Sequence, residues 1–238
     1  MTRRHSLRYI PRRAYSTSTS LTDTHGKLRA LLRETAQPVA VVTSFMPKSS
    51  GQDGTAYHGA TLSSFTSIAL SPHALVAFSL RVPSRMATTL SELAAAPSSG
   101  THFIVNILSA RQADVAQLFS RPDLHPQPFE SPQIQWSLTR DHLPLLHDSL
   151  GALACQVVGA AWPLSDLEAL GGKAGETVEG AATGDGVVSE LFLARVLRVE
   201  DVPSSAAAGD EAGTLPLLYH RRGYGTVQSP PPSPPSNR

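Results

Sequence analysis

Apolar residues recur along the middle of the chain in short runs, and each run is bounded by proline, glycine or hydroxyl residues. The runs are rich in β-branched residues and too short for typical helices, so they predict β-strands. Most connections between them are too short for crossover helices, which favours a mainly β, antiparallel barrel over a doubly wound parallel sheet. The six expected strands cover residues 38–43, 57–67, 73–82, 101–108, 152–161 and 190–199.

A few segments show helical spacing of their apolar residues instead. These predicted short helices cover residues 25–36, 86–96 and 111–119. In the first, Leu28, Leu31 and Leu32 share one face. Ser84 and Ser109 stand just before the other two, where a serine hydroxyl caps the free N–H groups of a helix.

Charge is distributed unevenly along the 238 residues. The formal net charge is +1, but residues 1–15 hold five arginines and no acid, which leaves 15 basic against 19 acidic residues elsewhere. A basic, hydroxyl-rich N-terminus is typical of a mitochondrial transit peptide, and Arg13-Ala-Tyr15 before Ser16 is similar to a processing site. The alternative is a disordered basic tail. We expect residues 1–20 to be transit peptide and linker, and the mature protein to lie in the mitochondrial matrix.

Composition excludes several classes of protein. Apolar residues make up 41% and charged residues 16% of the chain, which is unlike collagen, coiled coils and wholly disordered chains. No apolar run approaches a membrane span, and the acidic body argues against nucleic-acid binding. The single cysteine, Cys155, lies in an apolar run and is expected to be a buried thiol, and the nine histidines show no metal-binding spacing.

The remaining chain divides into one domain and a tail. We expect a domain over 25–227, with mobile loop insertions at 171–186 and 204–214 that lack any periodicity. Residues 228–238 are proline-rich and predict an extended tail. A ligand for a proline-reading domain is the alternative interpretation of that tail.

One polar loop follows the start of the strand predicted over 57–67. Gly59 and Ala60 carry no bulky side chain, so a planar ligand can approach the backbone there. Thr61, Ser63 and Ser64 offer hydroxyls and backbone N–H groups to the oxygens and nitrogens of a heterocycle.

A second polar loop follows the strand over 73–82. Ser84 opens a helix whose free N–H groups attract an anion, and Arg81 and Arg85 add positive charge. One loop for a polar ring and one for a phosphate is the arrangement that a mononucleotide needs. Serine-rich turns beside an ordinary helix cap are the alternative.

Four segments resemble the flavin reductase-like family: residues 58–72, 75–85, 103–108 and 216–219. The resemblance extends from about residue 28 to 224 and keeps the family's order. It implies a six-stranded antiparallel Greek-key split barrel that forms a homodimer and binds FMN without a covalent bond. With the basic N-terminus, it suggests a mitochondrial member of the fungal type.

The family's pattern also implies site residues. Thr61, Leu62, Ser63 and Ser64 would line the flavin ring and ribityl chain. Ser79, Ser84, Arg85 and Met86 would lie along the ribityl and phosphate end. The strand from Phe103 to Asn106 would lie beside the cofactor, with Asn106 as a further binding residue.

The chain departs from the family's pattern at a position associated with the nicotinamide. Many family members carry Gly-Asp-His before the last long strand, and that histidine is associated with nicotinamide handling. Here Gly186 follows Gly184-Asp185, and Ser189 stands at the histidine position. His220 is a weak catalytic candidate in its place, with a surface or interface histidine as the alternative.

These features predict an enzyme that passes hydride from NADH or NADPH to FMN, with the chemistry carried by the cofactor. Backbone N–H groups near Ser63 and Ser64 are expected to stabilise charge that grows on the flavin. A homodimer and a monooxygenase that receives reduced flavin are the expected protein partners. The alternatives are a flavin-binding protein without turnover and a flavin-dependent oxidase or decarboxylase of a small molecule.

Overall fold

The computed structural model describes residues 21–46, 57–95, 99–165, 188–205 and 210–228. The chain divides into two units, residues 1–35 and residues 36–238. Predictions for 1–20, for 171–186 and for the tail from 229 onwards fall outside the described residues. No helix in the described ranges is long and apolar enough to cross a membrane.

The first unit contains one described helix, α1 (Leu21–Arg33). It begins four residues before the predicted start, and an Asp23–Lys27 ion pair of 2.7 Å bridges its first turns. Its apolar face, with Leu28 and Leu31, is exposed. The helix ends at Arg33, three residues short of the predicted Ala36 and five residues before Pro38, which cannot continue a helical hydrogen-bond pattern.

The second unit is built from strands with two short α-helices. The strands are β1 (Gln37–Pro38), β2 (Ala40–Phe45), β3 (Tyr57–Leu62), β4 (Thr66–Ala69), β5 (Leu75–Val82), β6 (Phe103–Ile107), β7 (Trp136–Leu138), β8 (Pro144–Leu146), β9 (Gly151–Val157), β10 (Trp162–Pro163), β11 (Val188–Glu200), β12 (Leu218–His220) and β13 (Gly223–Gly225). The helices are α2 (Arg85–Ala95) and α3 (Ala113–Ser120), with 3₁₀ turns at Ala110–Gln112, Pro128–Glu130 and Glu211–Gly213.

The main sheet is antiparallel and curls back towards itself. Its strand order is β3-β2-β6-β9-β11-β5-β4, with β10 paired to β11. The two edge strands, β3 and β4, are joined by three residues only, so the sheet has to bend until its edges approach each other. The Ser64 hydroxyl ties this junction to β5, because it accepts from the Ser79 N–H at 2.9 Å and donates to the Ser79 carbonyl at 3.1 Å. The antiparallel, mainly β fold with few short helices is confirmed.

The inside of the curled sheet is filled by aromatic and aliphatic side chains. Phe78 stacks on Phe192 at 5.8 Å between ring centroids and meets the edge of Phe103 at 5.6 Å. Met86 and Leu90 of α2 cover one end of this cluster. Burial of each such side chain stabilises the fold by about 1.5–3 kcal/mol, which makes this cluster the main source of stability for the sheet. Cys155 lies fully buried in the same cluster, where burial raises the pKa of its thiol to about 12.

A second cluster packs α3 against β3. Phe119 of α3 lies over Gly59, where an added Cβ would come within 2.7 Å of the Phe119 ring. Phe119 also meets Phe129 at 5.2 Å between ring centroids. The glycine therefore allows the helix to approach the strand closely, and this contact fixes the position of the C-terminal end of α3.

The structure differs from the sequence prediction in strand detail. The strand expected over 57–67 is two strands, because the chain leaves β3 at residue 63 and re-enters the sheet at its opposite edge. Short strands such as β7 and β8 carry too few residues to show alternation. The hairpin of β12 and β13 also escaped prediction, since its turn residues Arg221 and Arg222 adopt positive φ angles of 49° and 67° without the usual Asn-Gly signal. Part of the loop predicted over 204–214 forms the 3₁₀ turn Glu211–Gly213.

Candidate functional site

A cavity of about 850 Å³ opens in the second unit between four elements. It is lined by most of β3, the segment from β5 into α2, the C-terminal end of α3 and the hairpin of β12 and β13. The volume lies in the range of small-molecule and cofactor sites. We call the β3 and β5–α2 side the near wall, and the α3 and hairpin side the far wall.

The near wall is held together by serine and threonine hydroxyls. Ser64 ties the β3–β4 junction to Ser79, and the Thr61 hydroxyl donates to the Ala116 carbonyl of α3 at 2.7 Å. Two predicted ligand hydroxyls are thus engaged inside the protein, where they position the backbone. Ser63 is exposed at the same edge, beside the buried Leu62.

The groups that the sequence predicts for a phosphate site meet at the start of α2. The Ser84 hydroxyl accepts from the Ala87 N–H at 3.1 Å, which confirms the predicted cap. The N–H groups of Arg85 and Met86 have no acceptor within the helix, since they belong to its first turn. The Arg85 side chain and Arg81 line the same cavity. Free N–H groups, the positive end of the helix dipole and two guanidinium groups form a favourable environment for an anion.

His58 of β3 also lines the cavity, and its imidazole is buried with only 4% of the residue exposed. Burial, with the nearby positive charge of Arg85, lowers the pKa of His58 to about 4, although a hydrogen bond with the Phe45 backbone opposes that shift. The imidazole is therefore neutral at physiological pH. Its Nε2 atom has no hydrogen-bond partner.

The far wall is aromatic. The rings of Tyr219 and Tyr224 lie 5.5 Å apart between centroids, tilted by 60°, and both line the cavity beside Phe119. A hydrogen bond with the Ser120 side chain holds the Tyr224 hydroxyl, while burial raises its pKa. Asp123 completes this side and pairs with Arg121 at 3.3 Å. Such rings offer planar surfaces against which a heterocycle can pack.

The structure brings together eight of the nine residues predicted to bind the cofactor. These are Thr61, Leu62, Ser63, Ser64, Ser79, Ser84, Arg85 and Met86. Ser189, the residue at the family's histidine position, lines the cavity as well, paired across the sheet with Arg81.

Asn106 lies elsewhere, and its prediction needs correction. It is fully buried in β6, and its amide nitrogen donates to the Val41 carbonyl at 3.1 Å and to the Thr43 hydroxyl at 3.2 Å. Its carbonyl oxygen accepts from the Leu146 N–H at 2.9 Å. Because the amide is occupied within the protein, Asn106 joins strands β2, β6 and β8 and does not face the cavity. His220 is exposed at the end of β12 and does not line the cavity either.

Sequence reasoning missed the far wall and His58. His58 heads the polar loop that the sequence singled out, but nothing in the sequence distinguishes a buried imidazole from an exposed one. Phe119, Tyr219 and Tyr224 come from segments 60 to 165 residues away, which only the folded chain brings to β3.

The residues present suit a flavin nucleotide. The near wall offers an anion site, and the far wall offers aromatic faces. The unpartnered Nε2 of His58 is a further polar atom without a partner in the protein. A bound flavin supplies the redox chemistry, as an acceptor of hydride.

Comparison with known proteins identifies the family. The flavin reductase like domain matches residues 32–228, and the chain belongs to that family. An NADPH-flavin oxidoreductase of Streptomyces viridifaciens is 28% identical over 189 residues, which cover 76% of this chain and 89% of that protein.

Solved structures show the same fold. The flavin reductase component BorF of a bacterial two-component tryptophan halogenase superposes with a TM-score of 0.56 at 22% identity, covering 87% of this chain and 99% of that one. The NADH:FAD oxidoreductase SgcE6 of Streptomyces globisporus, in complex with NAD and FAD fragments, gives 0.56 at 20% identity, covering 88% and 95%. The protein is thus a flavoprotein oxidoreductase that reduces flavin with NAD(P)H.

Proposed function

We propose that this flavin reductase holds FMN in the cavity, with the phosphate at the start of α2 and the ring between the two walls. The observation that carries the proposal is the Ser84-capped N-terminus of α2 with Arg85 beside it in the cavity. That arrangement supplies N–H donors and a guanidinium to a phosphate dianion. No protein base is needed, because hydride transfer requires only that the nicotinamide be placed against the flavin.

FMN is favoured over FAD because the near wall offers a single helix N-terminus for a single phosphate. In the described part of the chain, no second glycine-rich phosphate loop accompanies it. The relative SgcE6 is named as an NADH:FAD oxidoreductase, so FAD is the competing cofactor to test. Either NADH or NADPH serves as hydride donor, and Ser189 replaces a histidine at the position where the nicotinamide would pass.

We further propose a homodimer. The cavity is open to solvent, and the edge strand β4 near it continues into exposed apolar side chains, with Ile68 51% and Leu70 82% exposed. A second subunit would cover such an edge and supply a wall for the flavin. Light scattering of the FMN-loaded protein at micromolar concentration should give twice the chain mass, and a monomer mass with FMN bound would contradict the dimer.

The basic, acid-free N-terminus supports import into the mitochondrial matrix. BorF is named as the reductase of a two-component halogenase, and by analogy a monooxygenase would receive the reduced flavin here. The fungal subtype stays a prediction. Fluorescent tagging at the C-terminus, with and without residues 1–20, tests the location: loss of mitochondrial signal is expected only for the truncated form.

The activity is tested by anaerobic titration. We expect NADH or NADPH to bleach the absorbance of oxidised flavin near roughly 450 nm, a property of the cofactor. FMN should support turnover at lower concentration than FAD. Retained yellow colour with both nucleotides would favour a flavin-binding protein without turnover, and tighter binding of FAD would contradict the cofactor assignment.

A further inference from the structure

His58 is the polar side chain in the cavity whose role the proposed function leaves open. It is buried with 4% exposure, lines the cavity, and leaves Nε2 without a partner. A buried polar atom without a partner is costly, and a ligand that forms a hydrogen bond with it removes that cost.

The charge beside His58 is positive. Burial, and after it the positive charge of Arg85, lowers the pKa of His58 to about 4 and keeps the ring neutral. The other titratable groups that line the cavity are Arg81 from β5, Asp123 after α3, and the two hairpin tyrosines of the far wall. A hydrogen bond between His58 and the backbone of Phe45, on the neighbouring strand β2, raises the pKa of His58 and so opposes the effect of burial.

We propose that binding of a phosphate monoester dianion beside Arg85 is coupled to uptake of one proton from solvent by His58 at Nε2. The inference rests on the proposed function, because it takes the phosphate to lie at the start of α2. A dianion there offsets the repulsion from Arg85 and attracts a second positive charge in a partly dry site. The unpartnered Nε2 becomes an N–H donor, so the imidazolium and the guanidinium hold the phosphate together.

The coupling has a defined direction in pH. In the protein without ligand, His58 is neutral above about pH 4. In the complex with FMN its pKa would be higher, so it would stay protonated to a higher pH. Affinity for FMN therefore falls as the pH rises through the pKa that His58 has in the complex. Affinity for riboflavin, which lacks the phosphate, should not fall over the same pH range. Between pH 6.5 and 8.5 we expect the Kd for FMN to rise by about three- to tenfold.

Isothermal titration calorimetry of the full chain tests the proposal. FMN and riboflavin are titrated at pH 7, where a phosphate monoester with a pKa near roughly 6 is mostly dianionic. Buffers of different ionisation enthalpy report the number of protons taken up. The variants are His58→Asn and His58→Gln, and the matched control is His73→Asn, an exposed histidine at the opposite end of β5.

Wild type and His73→Asn should take up about half a proton or more per FMN and none per riboflavin, and both His58 variants should take up almost none. Uptake that persists in the His58 variants would assign the proton to another group and overturn the proposal. Wild type with a preference for FMN but no uptake would overturn it and leave the phosphate site intact. Equal affinity of wild type for FMN and riboflavin would instead contradict the phosphate site itself.

Riboflavin affinity close to wild type shows that the variants fold. If neither variant folds, the ¹⁵N NMR signals of the histidine side chains in the wild-type protein show by themselves whether an imidazole gains a proton when FMN binds. A histidine that is neutral at pH 7 in free protein should become doubly protonated with FMN, and unchanged signals would contradict the proposal.

Discussion

The two walls of the cavity are built in different ways. The near wall comes from one stretch, residues 58–86, whose phosphate end is formed by local contacts such as the cap from Ser84 to Ala87. The far wall comes from α3 and the hairpin of β12 and β13, which depend on long-range packing such as Phe119 over Gly59. In the proposed FMN site, the phosphate would therefore meet a wall formed by one chain segment, whereas the ring would be enclosed by segments that only the fold brings together.

The largest expected effect concerns His58 in the near wall and the stability of the protein in acid. The unfolded chain binds a proton at His58 near pH 6.5, and the folded protein only near pH 4. Stability from this group is thus full above pH 6.5 and falls towards pH 4, by about 3 kcal/mol. Urea unfolding of flavin-free protein at pH 7 and pH 4.5 measures the loss, and His58→Asn should lose less than wild type. Equal losses would assign acid sensitivity to other groups.

Arg85→Ala should weaken binding of FMN but not of riboflavin, and so distinguish the contributions of the two walls. A charge-assisted bond to a phosphate contributes about 1.5–3 kcal/mol, so FMN should bind about 10- to 100-fold more weakly. Riboflavin should bind wild type and variant nearly alike, because the far wall is intact. Fluorescence quenching measures both flavins, and Arg195→Ala, an exposed arginine on β11, is the matched control. Equal losses for both flavins would remove Arg85 from the phosphate site.

Gly59→Ala should damage the far wall instead. The new methyl would meet the Phe119 ring at 2.7 Å and push α3 away from β3. Overpacking of this kind costs about 1–3 kcal/mol of stability, and both flavins should lose affinity to a similar degree. Thermal unfolding together with the two titrations measures it. The control is Gly151→Ala, since an added Cβ there meets no atom within 4 Å; a loss confined to FMN would contradict the division between the walls.

Tyr224→Leu is expected to have the smallest effect on flavin binding. Removal of one aromatic face keeps an apolar side chain of moderate size but loses about 0.5–1.5 kcal/mol of ring packing. Affinity for FMN and riboflavin should fall together, by about 2- to 12-fold. Tyr224→Phe keeps the ring and loses only the hydroxyl bond with Ser120, so it should retain more affinity than Tyr224→Leu. If the phenylalanine variant is the weaker binder, the hydroxyl contributes more than the ring.

Features with a local cause could be predicted from the sequence. Ser84 caps α2 because its hydroxyl accepts a hydrogen bond from the N–H of Ala87, three residues further along the chain. Successive side chains of β5 point to opposite faces of the sheet, and this alternation places Phe78 in the core. Asn106 shows where local pattern fails. The family pattern places it beside the cofactor, but its amide is used to join three strands that are distant in sequence.

The sequence alone determined the central strand segments, the capped helix and the group of small and basic residues that forms the near wall, because each depends on residues close together along the chain. The tertiary structure alone decided the far wall, since Tyr219 and Tyr224 reach the cavity through a hairpin whose turn carries two arginines at positive φ. It also decided the state of His58, because a pKa depends on burial and on the charge that the fold places beside the group, and neither is a property of a residue in sequence.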